Sequence, residues 1–383
     1  MKKAISGKTT FSLHEKLLQA DLRPRFENML EAFSRKDYSP YPMAALLDVT
    51  TNCNLNCPYC IDRYALHGGE LTTERLLNLL DEFREIGVRS IVYFGGGEPL
   101  LHPGISTVLQ KTRELEIDFA VNTNGILLNK YVEMIADTSS WTRISLDASS
   151  SDTYNRVHGL ASGFLFDRIC DSVERLCTQA KGTVGVSFVV MQENISDIYA
   201  AASRVKNLGC NFAQFKPKYD TTPEGKHLAY YSDADSSRIT DELEQAKEIA
   251  DSEFAVLTTG SLKTLLQRKD IAQGKRYTVC AAQQLVALVN PDGVYVCPNY
   301  RGVSSKRIGD IKRSSFREMW HSDRRKQVVS NLDPSRECAT FHCLRHYTNV
   351  LVNSVAYAKR QGLPIEKYLV TLADELITDR LFL

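Results

Sequence analysis

From about residue 44 to residue 219, the apolar positions of the chain follow two alternating patterns. Short apolar runs rich in β-branched residues predict strands, and the stretches between them, such as LTTERLLNLLDEFREIG, place apolar residues at helical spacing. The predicted strands are 44–49, 90–95, 117–122, 142–147, 184–191 and 211–217. Six strand-then-helix units predict an α/β fold with a parallel sheet that closes fully or partly into a barrel.

Polar, turn-forming residues stand at the ends of the first four predicted strands. TNCNLNCPYC follows the first strand, GGGEP the second and NTNG the third, and SLDA closes the fourth. Each of these stretches alone is typical of a loop, but ligands gather at the carboxyl ends of parallel strands, so together they predict one shared site. GGGEP departs from the dinucleotide fingerprint G-x-G-x-x-G because Leu100 replaces the third glycine, which disfavours a nicotinamide enzyme.

Length and charge narrow the class of protein. The 383 residues are 43% apolar, enough for one large domain with appendages. Lys and Arg number 47 against 46 Asp and Glu, and this balance argues against a nucleic-acid or anionic-membrane partner. The sequence contains no recognisable secretory signal and no apolar run of about 20 residues. We therefore expect a cytoplasmic protein with a small-molecule substrate.

The ten cysteines divide into three groups. Cytoplasmic thiols stay reduced, so clustered cysteines indicate metal, iron–sulfur or catalytic chemistry rather than disulfides. The three groups are Cys53, Cys57 and Cys60; Cys280, Cys297, Cys338 and Cys343; and the isolated Cys170, Cys177 and Cys210. We interpret the isolated cysteines as small buried hydrophobes without chemistry.

The first group has three cysteines at the spacing C-x3-C-x2-C. A structural zinc site normally uses four ligands, commonly from two C-x2-C-like pairs. A cubane iron–sulfur cluster held by three thiolates instead leaves one iron free, whereas a purely electron-carrying cluster is normally closed by four. The missing fourth cysteine therefore favours a cluster whose open iron is completed by a cofactor or substrate.

Cys53-x3-Cys57-x2-Cys60, with an aromatic before the last cysteine and Gly96-Gly97-Glu98-Pro99 at the next strand, resembles the radical S-adenosylmethionine (radical SAM) superfamily over about residues 44–220. The resemblance implies a partial (β/α)6 barrel and a [4Fe-4S] cluster on the three cysteines, with SAM on its open iron. Reduction of the cluster, by an external electron donor such as flavodoxin or ferredoxin, would cleave SAM to methionine and a 5′-deoxyadenosyl radical.

The resemblance also implies a set of SAM-binding residues. It places the backbone of Tyr59 near the adenine, Gly96, Gly97 and Glu98 at the SAM ammonium, Ser145 and Arg156 at the ribose and carboxylate, and Asn124 and Asn194 in the same pocket. Arg156 is equally compatible with a solvated surface position. Lys216 and Lys218, on or just beyond the sixth strand, are candidates for binding a carboxylate or phosphate of the substrate, with solvated loop lysines as the alternative.

The last third of the chain carries a second signal. LVALVNPDGVYVC predicts a β-hairpin that ends at Cys297, and a short helix and a C-x4-C pair follow. This order resembles the auxiliary-cluster domains called SPASM and, in shortened form, twitch. A full SPASM domain uses seven cysteines, but four follow Cys210, so the resemblance implies one auxiliary [4Fe-4S] cluster on Cys280, Cys297, Cys338 and Cys343. Zinc on these four cysteines is the alternative.

These signals predict five segments and one reaction type. The segments are an N-terminal helical extension (1–43), the radical SAM barrel (44–220), a helical linker (221–275), the auxiliary domain (276–346) and C-terminal helices (347–383). Residues 1–43 lack the winged-helix-like module with which many relatives bind a leader peptide. We therefore expect hydrogen abstraction from a small polar metabolite of sugar, aminocyclitol or nucleoside type.

The expected outcome is a two-electron oxidation, because four cysteines are reserved for a cluster that can accept an electron. Epimerisation, decarboxylation or cross-linking of a ribosomal peptide or protein is the alternative. The spare thiol nearest a strand edge, Cys210, is predicted to lie at the wrong end of its strand to return a hydrogen atom.

Overall fold

The computed structural model describes most of the chain. The described residues are 23–35, 37–66, 68–161, 163–222, 225–228, 231–267, 275, 277, 279–338, 343 and 345–363. Parts of the predicted N-terminal extension and C-terminal helices, at 1–22 and 364–383, lie outside them. None of the described helices is both long and apolar enough to cross a membrane.

Six consecutive parallel strands form the centre of the molecule. They are β1 Ala44–Leu47, β2 Ser90–Tyr93, β3 Asp118–Thr123, β4 Trp141–Ser145, β5 Thr183–Val190 and β6 Phe212–Pro217. Each strand pairs in parallel with the next, which confirms the six predicted strands and the α/β fold. The carboxyl ends of all six strands therefore lie at one edge of the sheet.

A first helix, α1 Arg23–Ser34, precedes β1. The helices that connect the strands and cover the outer face of the sheet are α2 Thr73–Ile86, α3 Ile105–Glu114, α4 Val132–Thr138, α5 Ser151–His158, α6 Leu165–Gln179 and α7 Ile198–Asn207. The Thr72 side chain caps α2 by accepting a hydrogen bond from the backbone of Arg75, and Gly87 ends the helix at φ +80°. Both ends of this helix are therefore encoded locally.

The segment 221–275 differs from the predicted helical linker. It contains the helix α8 Asp233–Glu248, but also part of a small hairpin of β7 Tyr219–Thr222 and β8 Gly225–Leu228, the strand β9 Ala255–Thr258 and the helix α9 Gly260–Leu266. β9 pairs in parallel with β6, from Phe212 opposite Ala255 to Phe215 opposite Thr258. The segment therefore extends the sheet, because its short apolar run AVLT satisfies the open edge of β6.

The predicted auxiliary domain also joins the sheet. After the short helix α10 Ala282–Leu285, β10 Val286–Asn290 and β11 Gly293–Tyr295 form the predicted hairpin, and the Asn290 carboxamide oxygen accepts bonds from the backbone of Asp292 and Gly293 in its turn. β10 pairs in parallel with β1, and β12 Arg307–Gly309 pairs with β11. The strand order is β12-β11-β10-β1-β2-β3-β4-β5-β6-β9. The auxiliary region and the barrel thus share one sheet.

Helices complete the C-terminal region. They are α11 Phe316–His321, α12 Asp323–Ser330, α13 Pro334–Glu337 and α14 His346–Arg360. α14 packs against α1 in a second apolar core, where Leu30, Phe33, Leu351 and Val355 are buried. This core ties the two ends of the described chain together beside the paired strands β1 and β10.

Candidate active site and cluster-binding cysteines

The three clustered cysteines lie in one loop at the carboxyl end of β1, and we call residues 50–65 the front loop. Cys53 is exposed, whereas Cys57 and Cys60 are partly buried. The Cys60 backbone N–H donates to the Cys57 carbonyl over 3.1 Å, and the Thr51 hydroxyl donates to the Gly69 carbonyl over 3.0 Å. A loop anchored at its base thus presents three thiols toward the carboxyl edge of the sheet.

The glycines after β2 allow the front loop to approach this edge. A Cβ atom at Gly97 would lie 2.1 Å from the Asn52 carbonyl oxygen, so only glycine fits there. The Glu98 backbone N–H donates to that same oxygen over 2.8 Å. Gly96 has φ +126°, and a Cβ atom there would lie 3.0 Å from the Asp48 carboxylate. The glycine motif therefore supports the cysteine loop directly.

Glu98 does not present its carboxylate to an open pocket. The side chain is 2% exposed, and it accepts hydrogen bonds from the Leu100 and Asn124 backbone N–H groups and from the Thr123 hydroxyl over 2.7 to 3.0 Å. Burial raises its pKa to about 7. In the structure this carboxylate joins the β2 and β3 loops, and its role at the SAM ammonium, which the resemblance implies, stays a prediction. The backbone of Gly96 and Gly97 stays the predicted ammonium site.

Asn124 lies beside the front loop. Its amide nitrogen donates to the Asn54 side chain over 2.7 Å and lies 3.9 Å from Cys53 Sγ. Its side-chain oxygen accepts from the Ile126 backbone over 3.0 Å. The residue is half-buried at the same edge as the cysteines, so a SAM contact for Asn124 stays a prediction that the geometry permits.

A buried polar network supports the second cysteine. His158 Nδ1, at the end of α5, lies 3.1 Å from Cys57 Sγ and 3.2 Å from the Tyr59 hydroxyl, and that hydroxyl donates to Asp147 over 2.6 Å. Asp147 is 2% exposed and has φ +58°, which is rare for a non-glycine residue. Burial, with the charges of Asp147, Cys60 and Cys53, raises the pKa of the Cys57 thiol to about 12, so a bound cation is needed to hold a thiolate there.

Sequence reasoning missed His158 and Asp147. It assigned only the Tyr59 backbone, to the adenine, which stays a prediction, whereas the Tyr59 side chain belongs to this network. Asp147 falls within the polar stretch SLDA, whose position at a strand end was a usable signal. No local pattern marks His158, because its partner Cys57 is 101 residues away.

Two further predicted SAM contacts have other partners in the structure. Asn194 is fully buried, and its amide donates to the Asp147 and Val189 carbonyls over 2.9 Å while its oxygen accepts from the Met191 backbone. It therefore positions the strand ends that carry Asp147. Arg156 is exposed on α5, and its guanidinium donates to the Glu193 carbonyl over 3.0 Å. SAM contacts for Asn194 and Arg156 therefore stay predictions, although both side chains donate hydrogen bonds to backbone carbonyls in the structure.

Ser145 and Lys216 lie on the inner face of the sheet. The Ser145 and Ser187 hydroxyls are 3.3 Å apart, and Lys216 Nζ is 3.3 Å from the Ser187 hydroxyl. Burial, followed by the charge of Arg143, lowers the pKa of Lys216 to about 8. Lys218 lies one residue beyond the end of β6, where its backbone N–H donates to the Tyr231 hydroxyl. The structure therefore supports Lys216 more strongly than Lys218 as a substrate contact.

The four C-terminal cysteines line one cavity, which we call the auxiliary cavity. It holds about 300 Å³ of atom-free space, partly open to solvent, and its walls also include Tyr277, Tyr300 and Asn349. The lining cysteines are Cys280, Cys297, Cys338 and Cys343. Burial raises the pKa of the Cys280 thiol to about 12 and also raises the pKa of the Cys343 thiol. The structure thus brings together all four cysteines that the sequence assigned to an auxiliary cluster.

The donor sets of both sites fit iron–sulfur clusters. Cysteine thiolates are the usual ligands of iron–sulfur clusters, and four of them close a [4Fe-4S] cluster. Three thiols at the front loop and four around the auxiliary cavity match an open and a closed cluster, respectively.

Comparison with known proteins identifies the class. Residues 47–205 match the sequence model of the radical SAM superfamily, and residues 280–344 match that of SPASM, an iron–sulfur cluster-binding domain. The chain therefore contains a radical SAM domain and, on its C-terminal side, a SPASM-type domain. The radical SAM domain implies SAM and a [4Fe-4S] cluster, and the SPASM-type domain implies auxiliary iron–sulfur chemistry.

Similar proteins carry several different names and do not fix the reaction of this chain. It is 31% identical to a probable GTP 3′,8-cyclase of Archaeoglobus fulgidus over 37% of this chain and 47% of the relative. It is 23% identical to the mycofactocin maturase MftC of Mycobacterium tuberculosis over 67% of this chain and 64% of the relative. The chain thus aligns with about half to two thirds of the length of these relatives.

Solved structures share the fold. SuiB of Streptococcus suis matches with a TM-score of 0.60 at 17% identity, covering 80% of this chain and 72% of SuiB. The enzyme anSMEcpe, with bound AdoMet and a peptide, matches with a TM-score of 0.56 at 17% identity, covering 88% of this chain and 99% of that chain. Both confirm the partial-barrel architecture with its C-terminal extension.

Proposed function

We propose that this enzyme oxidises a small polar metabolite that carries a negatively charged group. The substrate would lose a hydrogen atom to the 5′-deoxyadenosyl group and then one electron and one proton, with the electron passing to the auxiliary cluster. An external donor such as flavodoxin or ferredoxin would supply the electron that starts each turnover. The observation that carries the proposal is the cationic, hydrogen-bonding surface inside the barrel.

This surface lies along the strands β3 to β6, toward their carboxyl ends. Paired strands place side chains in the same rows. The inward polar residues of these rows are Asn122, Arg143, Ser145, Ser187, Gln214 and Lys216. On β1 and β2, the residues Ala44, Leu46, Ser90 and Val92 lie in rows nearer the amino ends, in register with Asp118, Ala120 and Trp141. A substrate at the carboxyl ends of β3 to β6 would therefore meet hydrogen-bonding groups.

The positive charges on this inner surface favour the binding of an anionic substrate group. The Arg143 guanidinium donates to the Gln214 side chain over 3.0 Å, and its charge contributes to the lowered pKa of Lys216. Two neighbouring cations in a partly dry interior repel each other, and a carboxylate or phosphate placed between them would relieve that repulsion. The names of several relatives, GTP 3′,8-cyclases, are compatible with a small phosphorylated substrate.

When bound, SAM and the reduced [4Fe-4S] cluster supply the hydrogen abstraction that is typical of the superfamily. The residues of this chain would provide the rest of the site. Cys53, Cys57 and Cys60 would hold the cluster, and the Gly96–Gly97 backbone would bind the SAM ammonium. Lys216 would hold the substrate anion at the carboxyl end of β6 and thereby orient the reacting C–H bond toward SAM.

The position of Cys210 favours oxidation over epimerisation. Cys210 is 4% exposed, precedes β6 by two residues, and has its sulfur 3.5 Å from that of Cys177. It therefore lies at the amino edge of the sheet, opposite the front loop, and it faces a helix. A hydrogen atom returned to the substrate would need a thiol at the carboxyl edge, where we assign the described cysteines to clusters.

Deuterium transfer from a labelled extract tests the substrate class even though the substrate itself is unidentified. Cells of the source organism are grown in D₂O, and their extract is separated by dialysis and anion exchange. Each fraction is then incubated with reconstituted enzyme, SAM and reductant. We expect deuterium in 5′-deoxyadenosine from the dialysable anionic fraction, with Lys216→Ala abolishing the transfer and Lys216→Arg retaining part of it.

Two results would contradict the proposal. SuiB has been solved with a precursor peptide bound, so a peptide substrate is the principal alternative. Deuterium transfer from the non-dialysable fraction alone would establish that alternative. Transfer from a neutral or cationic small molecule, unaffected by Lys216→Ala, would remove the role of the inner cations.

A further inference from the structure

A buried arginine links the auxiliary region to the front loop. Arg301 follows Cys297 by four residues and is 1% exposed. Its guanidinium donates to both oxygens of Asp48, over 2.5 and 3.2 Å, and to Asp62 over 2.6 Å. Asp48 directly follows β1, and Asp62 follows Cys60 by two residues. One side chain thus contacts both ends of the segment that carries the cluster cysteines.

The three groups are bound to one another in a dry environment. Asp48 is 0% and Asp62 is 6% exposed, so both carboxylates depend on protein partners rather than on water. The far side of Asp48 faces Gly96, whose Cβ position is 3.0 Å from the carboxylate, and the guanidinium carbon lies 5.6 Å from the centroid of the Phe94 ring. Arg301 therefore also contacts the strand end that leads into the glycine motif.

We propose that Arg301 is a positioning residue through which the auxiliary region holds the front loop in its cluster-binding shape. Cluster assembly at Cys53, Cys57 and Cys60, and the response of that cluster to SAM, then depend on a side chain of the other domain. Arg301 acts on the front cysteines through Asp48 and Asp62. This inference requires radical SAM membership but not the proposed substrate.

The geometry requires arginine rather than any cation. A planar guanidinium donates along several directions at once, so it joins two carboxylates, whereas an ammonium on a flexible stem satisfies them less rigidly. Arg301→Lys therefore keeps the charge while loosening the link between β1 and the end of the front loop. Asp62→Asn weakens only the Asp62 arm and leaves the Asp48 pair intact.

Arg325→Lys is the matched control. Arg325 is also 1% exposed, belongs to the C-terminal region, and donates to the Tyr38 carbonyl and to the side chains of Gln283 and Gln284. None of these groups belongs to the front loop. An effect shared by both arginine variants would reflect general destabilisation, whereas an effect confined to Arg301 would reflect positioning.

The test separates the two clusters spectroscopically. Wild type, Arg301→Lys, Asp62→Asn and Arg325→Lys are reconstituted anaerobically with iron and sulfide. Bound iron and thermal stability are measured, and the electron paramagnetic resonance spectrum of the reduced protein is recorded with and without SAM. The signal that changes on addition of SAM reports the front cluster, and the unchanged signal reports the auxiliary cluster. Repeating the series in a Cys338→Ala background isolates the front signal.

We expect Arg301→Lys to reduce the SAM-responsive signal roughly tenfold or more, as the loss of an outer-shell partner commonly does to a metal site. Asp62→Asn should reduce it less, and Arg325→Lys should retain it. The SAM-independent signal should persist in all three. A wild-type SAM response in both Arg301→Lys and Asp62→Asn would overturn the proposal, as would equal loss of both signals in Arg301→Lys and Arg325→Lys.

Discussion

The front loop and the auxiliary cavity contain the same chemical groups in opposite structural settings. The front loop places three thiols within eight residues at an open sheet edge, and Cys53 is exposed. The auxiliary cavity gathers four thiols, of which the first and last, Cys280 and Cys343, are 63 residues apart in the sequence. Tyr277 and Tyr300 also line this cavity. Three thiols would leave one iron of a front cluster open for SAM, whereas the four thiols of the cavity would close an auxiliary cluster.

This difference determines what each cluster does for the fold. The front loop is shaped by groups already fixed by the barrel, such as Gly97 and the Asp147 network. The auxiliary cavity is also framed by protein contacts, since the Tyr300 hydroxyl donates to the Glu337 carbonyl over 3.4 Å and lies 3.5 Å from Cys338 Sγ, but its cysteines come from the hairpin and from the segment after α12. We expect a cluster there to contribute to folding, since it would join ligands from these distant segments.

Removing a front-loop ligand should have the largest effect on catalysis. Cys53→Ala, Cys57→Ala and Cys60→Ala each leave a cluster with two thiolates and no evident substitute. We expect each variant to form no 5′-deoxyadenosine above background, measured by liquid chromatography. Cys170→Ala, which removes a buried thiol on α6, should retain wild-type formation. SAM cleavage at the wild-type rate in any of the three ligand variants would rule out the assignment.

Two neighbouring glycines test whether the barrel shapes the front loop. A methyl group at Gly97 would collide with the Asn52 carbonyl at 2.1 Å, whereas one at Gly95 would meet nothing closer than 3.9 Å. Gly97→Ala should therefore lower the SAM-responsive cluster signal roughly tenfold or more, and Gly95→Ala should preserve it. Equal signals in the two variants would show that the loop shape is set elsewhere.

The cavity should respond to ligand loss in a different way. Cys338→Ala is expected to yield protein with roughly half the iron, because one of two [4Fe-4S] clusters is lost. Formation of 5′-deoxyadenosine without oxidation of the substrate should remain in part, since Arg301 still holds the front loop. Oxidised product should disappear, and the melting temperature should fall. Complete loss of 5′-deoxyadenosine at normal front-cluster content would contradict the separation of the two sites.

Local patterns were sufficient to predict the six strands, the cysteine groups and the glycine motif, because spacing and strand ends are encoded within short stretches. Pairings between distant segments were not predictable. No local pattern indicates that β10 joins β1, and the partners Arg301 and Asp48 are 253 residues apart. Glu98 was assigned by its motif to SAM, but its burial among three donors depends on how the β2 and β3 loops meet.

The smallest expected effect concerns the inner face. The pKa of Lys216 is lowered to about 8, so its ammonium form is lost as pH rises through that value. The apparent affinity for an anionic substrate should be constant below pH 8 and fall by up to about tenfold per pH unit above it. Lys216→Arg, whose side chain stays charged, should abolish this decline. An identical pH profile in both proteins would exclude Lys216 as the titrating contact.

The central claim, that one chain holds an open and a closed cluster, is tested most directly by metal analysis with spectroscopy of the anaerobically reconstituted wild-type enzyme. We predict about eight iron atoms and no stoichiometric zinc per chain, the sum of two [4Fe-4S] clusters. The iron that changes its Mössbauer spectrum when SAM is added should belong to one cluster only, and the iron of the other cluster should not change. About four iron atoms with one zinc per chain, or a SAM response of all the iron, would contradict the account.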